Sequence, residues 1–245
     1  MGTACADGTG FLRVELYYAV YPNVGFCLID VHDKAHPHLI SKLPVNPPFG
    51  RGQGGAAVHP AMPLGDRPYA IVTTEGERVR YFDENRTDGM FHKITTQPMN
   101  FIGMVELTDP ADPSLIAVFP YPEMPEGYTH GENFNVVDGT RAVFGPHNMF
   151  DAFGQSCYEK RDDRVYNCYF HAGLRIYDVS DPFVPKEIAY FLPPDPEGPN
   201  WFDTEEGDLL PGPQVAITED ILVDDRGYIY LTTYQDGMYI VKCTV

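Results

Sequence analysis

Apolar residues along this chain come in short runs rich in Val, Ile, Tyr and Phe, each bounded by Gly, Pro, Asp or Asn. Within many runs apolar and polar positions alternate, which is the two-residue period of a strand with one face buried. The 23 Pro and 23 Gly leave few windows long enough for a helix. Strands are therefore predicted over Tyr69-Ala-Ile-Val-Thr-Thr74, Val165-Tyr-Asn-Cys-Tyr-Phe170 and Tyr228-Ile-Tyr-Leu-Thr-Thr233. A further strand is predicted before each, over 56–64, 143–150 and 216–223.

Self-comparison adds a repeat. Gly25-Phe-Cys-Leu-Ile-Asp-Val-His-Asp33, Phe101-Ile-Gly-Met-Val-Glu-Leu-Thr-Asp109 and Gly173-Leu-Arg-Ile-Tyr-Asp-Val-Ser-Asp181 each lead through a Pro-containing turn into another apolar run. A fourth copy, Gly237-Met-Tyr-Ile-Val-Lys-Cys-Thr-Val245, stops where the next Asp would stand. Asp bonds turn N–H groups and Pro fixes φ, so each copy reads as strand, turn, strand. Four antiparallel strands per unit is the blade of a β-propeller, and the predicted fold class is an all-β propeller of about four such blades. The units span about 11–44, 45–120, 121–193 and 194–245. The first shows three strands and the last lacks its outermost, so 1–245 is expected to be one propeller domain or the C-terminal portion of a larger one. Upstream blades or an additional chain would then complete it. Long loops over 76–99, 121–141 and 194–214 account for units longer than a bare blade of about 40–50 residues.

Charge narrows the partners. Against 35 Asp and Glu stand 17 Lys and Arg, a formal net charge of −18. Phosphate backbones need a basic footprint, so nucleic acid is not expected, and an anionic membrane surface is repelled for the same reason. No apolar run approaches the roughly 20 residues that span a bilayer. The first ten residues carry no basic-then-apolar export pattern, but a processed secreted chain looks the same, so cytoplasmic and periplasmic or secreted placements stay open. Of five cysteines, Cys157 and Cys168 flank a polar run with the look of a hairpin loop, which leaves a disulfide and two free thiols as equal alternatives. Cys27 and Cys243 sit inside predicted strands as apolar fillers.

Candidate chemistry comes from aligning the innermost predicted strands, which converge on a propeller's axis. His59, His147 and either Glu219 or Asp220 fall at comparable places, with Asp220 taken as the carboxylate. At the ends of the next strands lie Glu75, His171 and Gln235, and His130 lies in the loop ahead of the third unit. Imidazoles and carboxylates suit a first-row divalent ion, so His59, His147, His130 and Asp220 form a candidate metal set for Zn, Fe, Mn or Cu. Asp220, Glu75 and His171 are the candidate catalytic groups, acting on a small-molecule substrate by hydrolysis, elimination or oxidation. The structural alternative has equal standing for His147, because a His beside Pro and Asn also plugs a channel mouth by bonding backbone groups. His32, His36, His38 and His92 lie in turns or loops and are expected to be solvated. Elbow, phosphate-loop, HExxH and dinucleotide signatures are missing from the sequence.

The repeat resembles the LVIVD-repeat family, whose units carry a Leu-Arg-Ile-Tyr-Asp-Val-Ser-Asp-Pro-like core, and residues 173–182 are nearly a copy of it. Phe144-Gly-Pro-His-Asn148 and Leu222-Val-Asp-Asp-Arg-Gly-Tyr-Ile-Tyr230 are similar to a bacterial subgroup whose members carry further blades upstream. His59-Pro60 after Gly54-Gly55, and His171 ahead of Ala172-Gly173 where an amide residue is more usual, depart from that pattern. The resemblance implies the propeller fold and little chemistry. Three functions are thus expected in descending order: a metal-dependent enzyme at the channel mouth, a protein-interaction module with long acidic loops, and a binder of apolar ligands through its 16 Tyr and 15 Phe.

Overall fold

A computed structural model of the 245-residue chain describes residues 11–13, 15–21, 24–44, 58–74, 100–131, 133–134, 136–137, 140–141, 144–151, 154–198, 201–203, 209–211 and 214–245. Among the described residues the chain is all-β, with no helix. Sheet 1 is β1 (Phe11–Arg13), β2 (Leu16–Tyr21), β3 (Gly25–Asp30) and β4 (His38–Leu43). Sheet 2 is β5 (Val58–Pro63), β6 (Tyr69–Thr74), β7 (Ile102–Glu106) and β8 (Ser114–Val118). After the hairpin β9 (Val136–Val137) and β10 (Thr140–Arg141) comes sheet 3, with β11 (Arg164–Cys168), β12 (Leu174–Asp178) and β13 (Lys186–Phe191). A second hairpin, β14 (Trp201–Asp203) and β15 (Leu209–Pro211), precedes sheet 4, with β16 (Thr218–Val223), β17 (Tyr228–Thr233) and β18 (Gly237–Lys242). Every pairing is antiparallel between neighbours in sequence, so each sheet is a meander.

The repeat is visible in the backbone. Asp33, Asp109 and Asp181 each accept, at 3.0 Å, the N–H two residues on, from Ala35, Ala111 and Phe183. That bond closes the turn between the last two strands of sheets 1, 2 and 3. In the same three sheets the register slips at one equivalent step, Leu28/Ile29, Met104/Val105 and Ile176/Tyr177.

Two expectations need correction. The first unit holds four strands, not three, because Phe11–Arg13 pairs with Leu16–Tyr21. Within the segment predicted over 143–150, residues 144–150 are not a continuous strand: their pairing with β11 and its extension is irregular, with isolated bridges Phe144↔Phe170 and Met149↔Asn167 and scattered backbone bonds. Gly145-Pro146 lies between those bridges, and Pro has no N–H to give a ladder.

Successive sheets pack against each other in chain order. One apolar cluster joins Val20 and Leu28 of sheet 1, Ile71 and Met104 of sheet 2, and Tyr169 and Tyr177 of sheet 3. A second joins Leu174 and Ile176 of sheet 3 to Ile221, Val223, Ile229 and Leu231 of sheet 4. Polar ties cross the same seams. Arg67 donates to the carbonyls of Asp162, Val179 and Ser180, and Thr218 donates through N and Oγ1 to the carbonyl of Phe170. Cys157 and Cys168 are free thiols. The segment carrying Cys157 runs along sheet 4, where Asp225 N donates to its carbonyl and Tyr158 bridges Asp224, so it does not fold back as the hairpin partner of Cys168.

Candidate functional site

The first strands of sheets 2 and 4, and the irregular segment ahead of sheet 3, depart from regular pairing at one equivalent place. Val58 faces Thr74, Phe144 faces Phe170 and Thr218 faces Thr233. Immediately afterwards His59-Pro60 bulge opposite Thr73, residues 145–148 loop out, and Glu219-Asp220 bulge opposite Thr232. A bulge inserts a residue that cannot pair and re-aims its side chain, a device common beside functional sites. Pro60 and Pro146 enforce it in the first two cases by lacking a donor.

Side chains opposite the bulges replace the lost ladder bonds. Thr73, fully buried, donates to His147 O at 3.3 Å. Asn167, also fully buried, donates to the carbonyls of His147 (3.4 Å) and Asn148 (3.2 Å). Thr232 Oγ1 accepts Asp220 N at 3.0 Å and donates to Asp220 O at 3.3 Å. Backbone bonds from His147 N to Cys168 O (2.7 Å) and from Cys168 N to Asn148 O (2.9 Å) complete the scaffold.

These bulges bring three side chains together. The His59 and His147 rings stack with centroids 4.5 Å apart and planes 10° from parallel, and Phe170 stacks on His147 at 4.6 Å. His147 Nδ1 lies 3.2 Å from the carbonyl oxygen of Glu219 and 3.6 Å from its carboxylate Oε2. His59 Nε2 lies 3.2 Å from Asn148 Oδ1. The His147 side chain is nearly buried, while His59 is half-buried and the Glu219 side chain keeps 33% of its surface in solvent.

The carboxylate beside His147 is thus Glu219. Asp220 accepts the N–H of Ile221 at 2.9 Å and lies near Cys168, and neither imidazole is among its partners. Desolvation pushes the Asp220 carboxyl up, although the residue as a whole is exposed. Burial, with Asp220 and Glu219 adding to it, raises the Cys168 thiol well above its ordinary value, which makes it an inert filler.

His130 and His171 do not join this group. They line a separate cavity of about 170 Å³ with Tyr128, Leu192, Asp195 and Val215. There His130 Nε2 lies 3.0 Å from Asp195 Oδ2, and His171 is 1% exposed. Glu75 and His92 lie outside the described residues. His32, His36 and His38 are exposed and stand beside Glu15, Asp33 and Asp30. A larger groove of about 440 Å³ runs between sheets 2 and 3, over Met62, Phe150 and Tyr166. Its Arg161 is tied to Asp163 at 2.7 Å.

A divalent ion bound by both imidazoles needs their in-plane lone pairs to converge on one point. Parallel rings 4.5 Å apart direct them side by side, so the stacked pair does not fit a shared ion. Among the described residues no three His, Cys, Asp or Glu side chains cluster closely enough to hold one.

No protein-family model matches the chain, and no curated protein matches it. No helix among the described residues is long and apolar enough to cross a membrane.

Proposed function

We propose that the chain is part of an LVIVD-type bacterial β-propeller that transforms a small organic molecule by proton transfer where its inner strands meet. Four meanders packed in order, with one turn and one register slip repeated, support the propeller reading. The stack of His59 on His147 with Glu219 alongside is the single observation that carries the chemical reading.

Donation of His147 Nδ1–H to the Glu219 carbonyl leaves Nε2 as the basic nitrogen, and the neighbouring carboxylate stabilises the imidazolium that forms when it takes a proton. Two imidazolium cations 4.5 Å apart repel, so the pair holds one added proton at a time. Such a pair suits abstraction of a proton from substrate and its return to a leaving or neighbouring atom. His59, oriented by Asn148, is the second member of the relay. Phe170 walls the stack from within.

The test is heteronuclear NMR of the histidine rings in the full chain across neutral pH. Coupled titration of His59 and His147, with the upper step lowered by about one pH unit in Glu219→Gln, is expected. In a panel of small esters, lactones and hydroxy acids, turnover falling about 100-fold or more in His147→Gln is expected. Independent titration of the two rings, indifferent to Glu219, sinks the relay. Stoichiometric uptake of Zn that shifts both rings, or of Mn that broadens them, replaces it with a metal centre formed by rotation of one ring.

A further inference from the structure

The cavity lined by His130 and His171 is a site in its own right. His171 stands at the tip of a tight turn beyond β11, held by Ala172 N to Tyr169 O (2.9 Å) and Gly173 N to Phe170 O (3.0 Å). Phe170, at φ 49°, is the non-glycine residue in the left-handed region among those described. That bend sets the Phe170 ring on the His147 stack, while the next residue, His171, lines the cavity beside His130.

The ring of His171 is buried, and among the described residues neither Nδ1 nor Nε2 meets a hydrogen-bond partner. Buried polar atoms are almost always paired, and one that is not calls for an occupant. Burial, reinforced by His130, keeps this ring neutral by pushing its pKa down to about 3. A neutral imidazole presents one N–H and one bare nitrogen. A neutral group that can both accept and donate therefore suits whichever nitrogen it meets. Leu192, Pro193, Val215 and Ala216 supply apolar walls, and the His130–Asp195 pair stands at the more open side, with Asp195 half exposed.

Charge selects further. Asp195 and the formal net charge of −18 disfavour an anion, and a cation gains nothing from the N–H of His171. Size selects again, because about 170 Å³ lies below the roughly 300–1,000 Å³ of pockets for drug-sized ligands.

We propose that this cavity binds a small neutral molecule bearing an amide or hydroxyl group, which pairs with one ring nitrogen of His171 while its apolar part lies against Leu192, Val215 and Ala216. The site is independent of the proton relay and stands if that reading fails.

Propionamide is the probe, and propionate is its charged counterpart of equal size. Both are titrated into the full chain with nitrogen-15-labelled histidine rings. Saturable shifts of the His171 ring nitrogens with propionamide, at a Kd of about 1 mM, are expected, with propionate at least tenfold weaker. His59 and His147 should not move. Ala216→Met puts a longer side chain into the cavity wall and should abolish the shifts. The proposal is overturned by ring nitrogens that exchange only with water, by equal response to propionate, or by shifts that survive Ala216→Met.

Discussion

β12 and β18 are the same strand of the repeat in two settings. Leu174 and Ile176 of β12 are 1% and 2% exposed, whereas Met238 and Ile240, their counterparts in β18, are 56% and 57% exposed. The intervening residues behave alike. Arg175 and Tyr177 face the sheet 2 side, with Tyr177 edge-on to Phe119 at 5.1 Å, and Tyr239 and Val241 pack into the sheet 3–sheet 4 cluster. The difference lies in what covers the far face. Sheet 3 is covered on both sides, by sheets 2 and 4, while on sheet 4 Leu222, Met238 and Ile240 face away from sheet 3. A sequence written for a strand covered on both faces thus appears in a strand that is, among the described residues, covered on one.

Glycine makes the contrast largest. Gly173 and Gly237 open the two strands with the same left-handed φ, 76° and 79°. A Cβ on Gly173 would stand 2.3 Å from Phe191 O and 2.9 Å from Leu192 Cδ2, whereas one on Gly237 meets nothing within 4 Å. Gly237→Ala should cost only the left-handed conformation, about 1–2 kcal/mol. Gly173→Ala adds a clash with backbone that cannot yield, for a total of about 3–5 kcal/mol. Urea unfolding of the two variants checks this, and equal losses would mean that the β12–β13 edge relaxes freely.

Truncation of the paired isoleucines comes next. Ile176→Ala should lose about 3 kcal/mol, the usual cost of a cavity in a packed core, and Ile240→Ala about 0.5 kcal/mol or less. A loss at Ile240 as large as that at Ile176 would break the comparison. It would show that the outer face of sheet 4 is covered in solution. Dependence of that loss on protein concentration would identify the cover as a second copy of the chain.

Much of this architecture is legible in the sequence. β6 and β17 fall on the predicted residues because alternation and flanking turn residues both mark their ends. The turn aspartates were legible because a carboxylate two residues ahead of a free N–H is a local device. What the sequence hid were changes of parity. Alternation assigns Glu219 and Asp220 to opposite faces but does not say which faces the imidazoles, since the bulge shifts the count by one. Sequence leaves that choice open, and taking Asp220 misses the carboxylate that the structure sets beside His147, Glu219. The separation of His171 from the His59–His147 stack was hidden for a related reason. It depends on Phe170 adopting φ 49°, and an aromatic residue carries no local preference for that conformation. The strand Phe11–Arg13, which makes the first unit four-stranded, is hidden in the sequence because three residues are too few to show a period.

The smallest effect separates His171 from Gln235, which both stand two residues before the glycine that opens the next strand. Each has both side-chain polar atoms buried without a partner among the described residues, but only the imidazole titrates. In the native chain burial holds His171 down at about 3, against an ordinary value of 6.5. Its contribution to stability is therefore complete above the unfolded value and declines as pH falls from 6.5 toward 3, because only the unfolded chain takes up the proton. Between pH 7 and pH 5 this amounts to about 2 kcal/mol. His171→Gln makes the third unit resemble the fourth and should remove that decline, so its urea midpoint falls less steeply with acidification than that of the parent chain. The carboxylates titrate equally in both proteins and cancel in the difference. Parallel curves would mean that the native ring protonates freely. The cavity beside His130 would then be open to bulk water, and the burial that keeps His171 neutral would not hold in solution.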